Sequence, residues 1–203
     1  LVEVPGIAQK KLEMISAAWA EHRAIRDVMM FLQSHGISTL FSVRIYKEYG
    51  HNAIAWITQD PYRLAADFFG IGFFTADKVA LSIGLETDSP PRITAGIRHV
   101  LSAAREFGHC YLTFSQIKEQ VKDLLNLDLS QQLEALLADM ETQRLLMRRD
   151  LPDDNGQPVA CYYARSLYFD EAYVARRLLD PGPERTFDQA RIDRWVALFC
   201  QRF

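Results

Sequence analysis

The chain has 203 residues, 49% hydrophobic and 24% charged, enough to bury a sizeable core in one or two compact domains. Residues 1–90 carry 8 Lys and Arg against 10 Asp and Glu, and residues 91–203 carry 15 against 16, so neither part attracts nucleic acid by bulk charge. Three well-separated cysteines, Cys110, Cys161 and Cys200, exclude a CxxC metal clamp and a disulfide framework.

That cysteine usage points to a reducing, cytoplasmic compartment. No run approaches the roughly 18 apolar residues of a membrane span, so no membrane partner is expected. No signal segment opens the chain, and its start, "LVEVPGIAQKK", reads as part of a longer protein.

In chain order, the first 84 residues are helical in pattern. Leu12, Ile15 and Trp19 recur at helical spacing, as do Ile25, Val28, Met29 and Leu32, and later Ala76, Val79, Ala80 and Ile83; each set fits one buried helix face. "GLETDSPPR", residues 84–92, stops a helix and predicts a junction between units. Beyond it, periodicity predicts helices over about 93–106, about 115–125 and about 130–143, with "GHCYLT" as a connector and Ser130 as the N-cap of the third. "RLLMRRD" and "VACYYARSLY" flank "LPDDNGQP", whose Asn155-Gly156 predicts a β-hairpin. Three helices and a hairpin are the order of a winged-helix domain. A helix over about 170–179 follows, and "FDQARIDRWVALFCQRF" predicts a last amphipathic one.

The helical part also repeats. "VPGIAQKKLEMI", "SHGISTLFSVRI" and "FFGIGFFTADKV" each set a Gly-Ile pair and a small residue between helical segments, with the glycines Gly6, Gly36 and Gly70 spaced by 30 and 34 residues. This is the pattern of a helix-hairpin-helix unit. The tight connection needs Gly, Ile anchors the turn inward, and the small residue leaves the next helix's first N–H groups uncovered. Those donors and the helix dipole suit a DNA phosphate without bulk positive charge. Lys10, Lys11, Arg44 and Lys78 then lie in the following helices, where a cation adds a backbone contact without reading sequence. A Gly-Ile pair also serves as a plain C-cap with an apolar anchor, and hairpins of this kind serve as protein-interaction modules. Asp77 beside Lys78 reads as an exposed, solvated pair.

The expected architecture is therefore mainly α: tandem helix-hairpin-helix units over 1–88, a winged-helix-like domain with a small β-hairpin over 89–180, and a linker helix over 181–203. Its third helix carries Glu134, Asp139 and Glu141, poor for facing phosphates, so that domain is expected to pack or to bind a protein partner. Arg144, Arg148 and Arg149, at the helix end and first strand, are placed to touch DNA backbone, but read first as a solvated strand face.

"VPGIAQKKLEMISAAW", "FLQSHGISTLFSVRIYKEYGHNAIAWI" and "ITQDPYRLAADFFGIGFFTADKVALSIGL" resemble the helix-hairpin-helix region that precedes the motor in RecD-like ATP-dependent DNA helicases. The likeness covers about residues 1–112 and includes "DSPPRITAGIRHVL" and "GHCYL". It implies an accessory region of a superfamily 1B helicase that moves 5′ to 3′ on single-stranded DNA in repair or recombination, related to the alpha subunit of exodeoxyribonuclease V. The implied DNA contacts are Gly6, Ile7, Ala8, Lys10 and Lys11, then Gly36, Ile37 and Ser38, then Gly70, Ile71, Gly72, Thr75 and Lys78. Ala8 and Ser38 stand where the strongest hairpins place Gly.

No GxxxxGK[ST] loop occurs in these residues, so ATP and magnesium are expected only for a motor outside this stretch, beginning soon after Phe203. No catalytic residue and no metal ligand is assigned. His51, His99 and His109 show no paired-ligand spacing, no acid is marked as a glycosylase carboxylate, and Cys110 beside His109 is no nucleophile pair in an extended segment.

Overall fold

The computed structural model describes residues 9–180 and 188–200. The first helix, α1 (Gln9–Ser34), is one continuous 26-residue rod. It packs against α2 (Thr39–Tyr49) and α3 (Ala53–Gln59). At 1.5 Å per residue α1 is far longer than either neighbour, so they cover only one end of it. Val28 and Leu32 are buried there, while Trp19 is exposed, which corrects the expectation that the Leu12–Ile15–Trp19 stripe faces the core. A short α4 (Arg63–Asp67) and α5 (Phe73–Ser82) complete the N-terminal part.

Helix α6 (Pro90–Ala103) starts earlier than its apolar spacing predicts. Pro90 and Pro91 occupy its first turn, where a missing N–H costs nothing and the fixed φ suits a helix. A 3-10 turn, Ala104–Phe107, prolongs it. The "GHCYLT" connector contains a strand, β1 (Tyr111–Thr113), too short to show alternation in the sequence. Helix α7 (Phe114–Leu125) follows, capped by Thr113, whose backbone N–H donates to Gln116 Oε1 at 2.8 Å. Helix α8 spans Leu133–Thr142, and Ser130 does not cap it. The Ser130 hydroxyl and N–H both donate to Asp128 Oδ1, and a turn closed from Leu133 N–H to the Leu129 carbonyl precedes the helix.

The hairpin is observed where Asn155-Gly156 predicts it: β2 (Leu146–Pro152) pairs with β3 (Pro158–Ala164). Strand β3 also pairs with β1, Leu112 opposite Tyr162, so the sheet is antiparallel with order β1-β3-β2. Helix α9 (Arg165–Leu179) leaves the sheet, and α10 (Gln189–Cys200) is the amphipathic helix expected in the tail. The molecule is thus mainly helical with one small sheet.

Buried side chains form one cluster from Val28 to Ala164, running through both sides of the 84–92 segment. No described helix is long and apolar enough to cross a membrane, and no group of His, Cys, Asp or Glu among the described residues is arranged to hold a metal.

Candidate nucleic-acid interface

Two of the three Gly-Ile turns lie in the described residues. In the second, Gly36 takes φ +84°, and the chain wraps back through Gly36 N–H to the Gln33 carbonyl (3.0 Å) and Ile37 N–H to the Leu32 carbonyl (2.9 Å). Ile37 is buried beneath the turn. Ser38 caps α2, its hydroxyl accepting from Phe41 N–H at 3.5 Å, so the protein's own side chain already covers that helix start.

The third turn differs at one position. Gly70 takes φ +96°, Ile71 N–H donates to the Phe68 carbonyl at 3.0 Å, and Ile71 is buried. Gly72 then stands at the N-cap of α5, exposed, with no capping side chain and open space where a Cβ would lie. The first turn of α5 is therefore left to solvent or a ligand. Thr75 is half-buried in that turn and is not the cap. Phe68 and Phe73 are buried, whereas Phe69 and Phe74 project outward.

The two hairpins close on each other. A Cβ at Gly36 would meet Lys78 Cε and Nζ of α5 at 3.4 Å, and a Cβ at Gly70 would meet the Phe41 ring of α2 at 3.1 Å. Arg44 Nη1 donates to the Phe69 carbonyl at 3.1 Å. His35 Nδ1 lies 2.7 Å from Ser82 Oγ; that hydroxyl donates to the Val79 carbonyl, so the ring N–H is the donor. Lys78 thus rests over the second turn rather than extending its own, and Arg44 is engaged with backbone.

Asp77 corrects an expectation. Its side chain is only 13% exposed and is not a solvated partner of Lys78. It takes a two-pronged ion pair from Arg92, Nε to Oδ1 at 2.9 Å and Nη2 to Oδ2 at 3.1 Å, and the Tyr62 hydroxyl donates to Oδ1 at 2.6 Å. Arg92 also donates to the Thr87 carbonyl at 2.7 Å, tying α5 to α6 across the turn-rich segment. Burial, then the Asp77 carboxylate, pushes the Tyr62 hydroxyl well above the ordinary tyrosine range. Tyr49 and Arg63 hold Asp67 similarly, at 2.7 and 3.0 Å, and Arg63 also lies over the Trp56 ring.

The cleft beside Gly72 is walled by Tyr62, Phe73, Arg98, His99 and Arg105. The two arginines escaped the sequence reading, although Arg98, Ser102 and Arg105 recur at i, i+4 and i+7, a one-face helical spacing. Burial lowers the His99 imidazole below the usual histidine range, with Glu106 opposing.

The segment holding both turns and this cleft matches a known family: residues 21–111 fit the model of the ATP-dependent RecD2 DNA helicase HHH domain. Residues 21–111, somewhat less than half of the chain, are thus similar to a RecD2-type helix-hairpin-helix domain. The chain is also similar to the ATP-dependent RecD2 DNA helicase of Deinococcus radiodurans, 31% identical over 121 residues, which cover 59% of this chain and 17% of that relative. It therefore spans a small part of the relative's length.

Within the matched segment lie Gly36, Ile37, Ser38, Gly70, Ile71, Gly72, Thr75 and Lys78. The first Gly-Ile pair precedes it: Gly6, Ile7, Ala8 and the Lys10 side chain lie outside the described residues, and Lys11 is exposed at the start of α1. Arg148 and Arg149 are engaged, Arg148 with Asp150 at 2.8 Å and Arg149 with the Tyr168 hydroxyl at 2.6 Å.

Proposed function

We propose that this chain is the DNA-backbone-binding accessory region of a RecD-like ATP-dependent DNA helicase of repair or recombination, acting in the cytoplasm. The observation that carries it is the third turn: a RecD2-type hairpin whose N-cap, Gly72, is exposed and leaves the first turn of α5 without a side-chain cap. A phosphate accepts from such N–H groups whatever the base, so the grip is blind to sequence. The second turn, capped by Ser38 and covered by Lys78, serves mainly to hold the third in place.

The order helix, strand, helix, helix, strand, strand over 89–180 supports a winged-helix-like unit joining the hairpins to a motor. ATP hydrolysis and magnesium belong in this reading to that motor, since these 203 residues contain no phosphate loop of the GxxxxGK[ST] pattern. Titrating the chain against single-stranded and forked DNA by fluorescence anisotropy tests the proposal. Binding weakens as salt rises if phosphate is gripped. No binding at about 50 mM salt by a chain folded by circular dichroism assigns the hairpins to protein scaffolding instead.

A further inference from the structure

Three arginines concentrate on one face of a chain whose net charge is −3. Arg98 and Arg105 line the cleft beside Gly72, of about 340 Å³. Arg98 also lines an adjoining cleft of about 260 Å³, together with Arg165 and Ser166. The two clefts share Ser102, and no Asp or Glu lines either. None of the three arginines ion-pairs with a carboxylate among the described residues. Elsewhere in the fold the well-placed guanidiniums have partners: Arg92 has Asp77, Arg63 has Asp67, Arg148 has Asp150. Clefts lined by arginines that ion-pair with no carboxylate, and by no acidic side chain, favour polyanion contact, with Glu106 beside Arg105 as the carboxylate near them.

His99 forms the wall between this basic band and a larger, mainly apolar groove of about 700 Å³. Phe74 and Phe107 line that groove and are 68% and 76% exposed. Its polar rim includes Gln116, Gln120 and one acid, Asp123. The His99 ring stacks on Phe73 at 5.1 Å and meets Phe74 edge-on at 5.3 Å, which holds the partition in place. Phosphate-binding cations on one side of a ring and open aromatic surface on the other match a single strand, whose bases are free to leave the stack. A duplex offers the phosphates and hides the bases.

We propose that this face binds single-stranded DNA, with the backbone running along Arg105, Arg98 and Arg165 and an unstacked base lodged against Phe74 and Phe107. The proposal rests on the DNA-binding reading above and extends it from the hairpin to α6 and the start of α9. Arg98 and Arg105 act through charge, and the two phenylalanines select strandedness.

The test compares labelled oligothymidylate of about 20 nucleotides with a duplex of about the same length, by fluorescence anisotropy over a range of salt. Arg98 and Arg105 are exposed, so Arg98→Gln/Arg105→Gln keeps the fold by circular dichroism. It should weaken single-strand binding about tenfold or more and flatten the salt slope by about 1.4. Phe107→Ala should cost about fivefold or more on the single strand and leave the duplex unchanged. Unchanged single-strand affinity in the double-arginine variant, or equal losses on both DNAs for Phe107→Ala, overturns the proposal. Gly72→Asp separates it from the hairpin reading. If only Gly72→Asp weakens binding, the hairpin grip stands and this site falls; if only the arginine variant does, the reverse holds. A wild-type chain that binds neither DNA removes both.

Discussion

Lys78 lies over Gly36, and Arg44 reaches the carbonyl of Phe69, the residue before Gly70. Both cations stand eight residues after the glycine of their own hairpin, and both act on the turn of the other hairpin. The 34-residue repeat is therefore also a spatial exchange, in which each unit's second helix closes its partner's turn. The end of the Lys78 side chain thus lies against the second turn, while Arg98 and Arg105 line the cleft beside Gly72.

The two turn glycines should not be equally sensitive. Both have positive φ, so Ala costs about 1–2 kcal/mol at each from backbone strain. At Gly70 the new methyl also meets the packed Phe41 ring, whereas at Gly36 it meets the flexible end of Lys78, which can move aside. Chemical denaturation should show Gly70→Ala losing more stability than Gly36→Ala. Equal losses would mean that the Phe41 contact contributes nothing.

Gly72 separates fold from function. Its φ is −93° and a methyl group there would have nothing within 4 Å, so Gly72→Ala should cost less than about 1 kcal/mol. Bulk there narrows the approach to the first turn of α5, so DNA affinity should fall while the melting temperature stays nearly constant. A variant with wild-type affinity would argue against a phosphate at this turn.

The Arg92–Asp77 pair should be costly to break. The side chains are 8% and 13% exposed, and removing either partner leaves a buried charge, worth about 3 kcal/mol or more. Asp77→Ala and Arg92→Ala should both unfold at clearly lower urea. Replacing both by apolar residues, Asp77→Leu with Arg92→Met, should lose less than the sum of the single changes. An additive double variant would show that the two side chains do not depend on each other.

His99 predicts a sensitivity to mild acid. Its folded-state affinity for a proton is below the ordinary histidine value because burial disfavours the charged ring. The stability it contributes is present above the ordinary histidine range and is lost as pH falls through that range toward the lower folded value. The melting temperature should drop between about pH 7.5 and about pH 5.5, and His99→Gln should flatten that drop. An unaltered pH profile in the variant would place the acid sensitivity elsewhere.

The local layer of this protein is written in its residues. Gly-Ile repeats, apolar spacing, two prolines before Arg92 and Asn155-Gly156 name the helices, the turns and the hairpin, because caps, periodicity and left-handed turns are decided within a few residues along the chain. Ser130 reads as a cap, yet Asp128, two residues earlier, competes for it at close range. Strand β1 is hidden in the sequence because three residues gain their identity only from pairing with β3. Asp77 reads as solvated because its partner, Arg92, lies beyond a segment that reads as a junction, and only folding brings the two within 2.9 Å. The same holds for the arginine band: Arg98 and Arg105 share a helix face by spacing alone, but packing sets that face beside Gly72 and brings Arg165 to its edge. Sequence by itself determined the hairpins and their open third turn. Tertiary structure decided which cations remain available, because pairing and burial depend on neighbours that are distant along the chain.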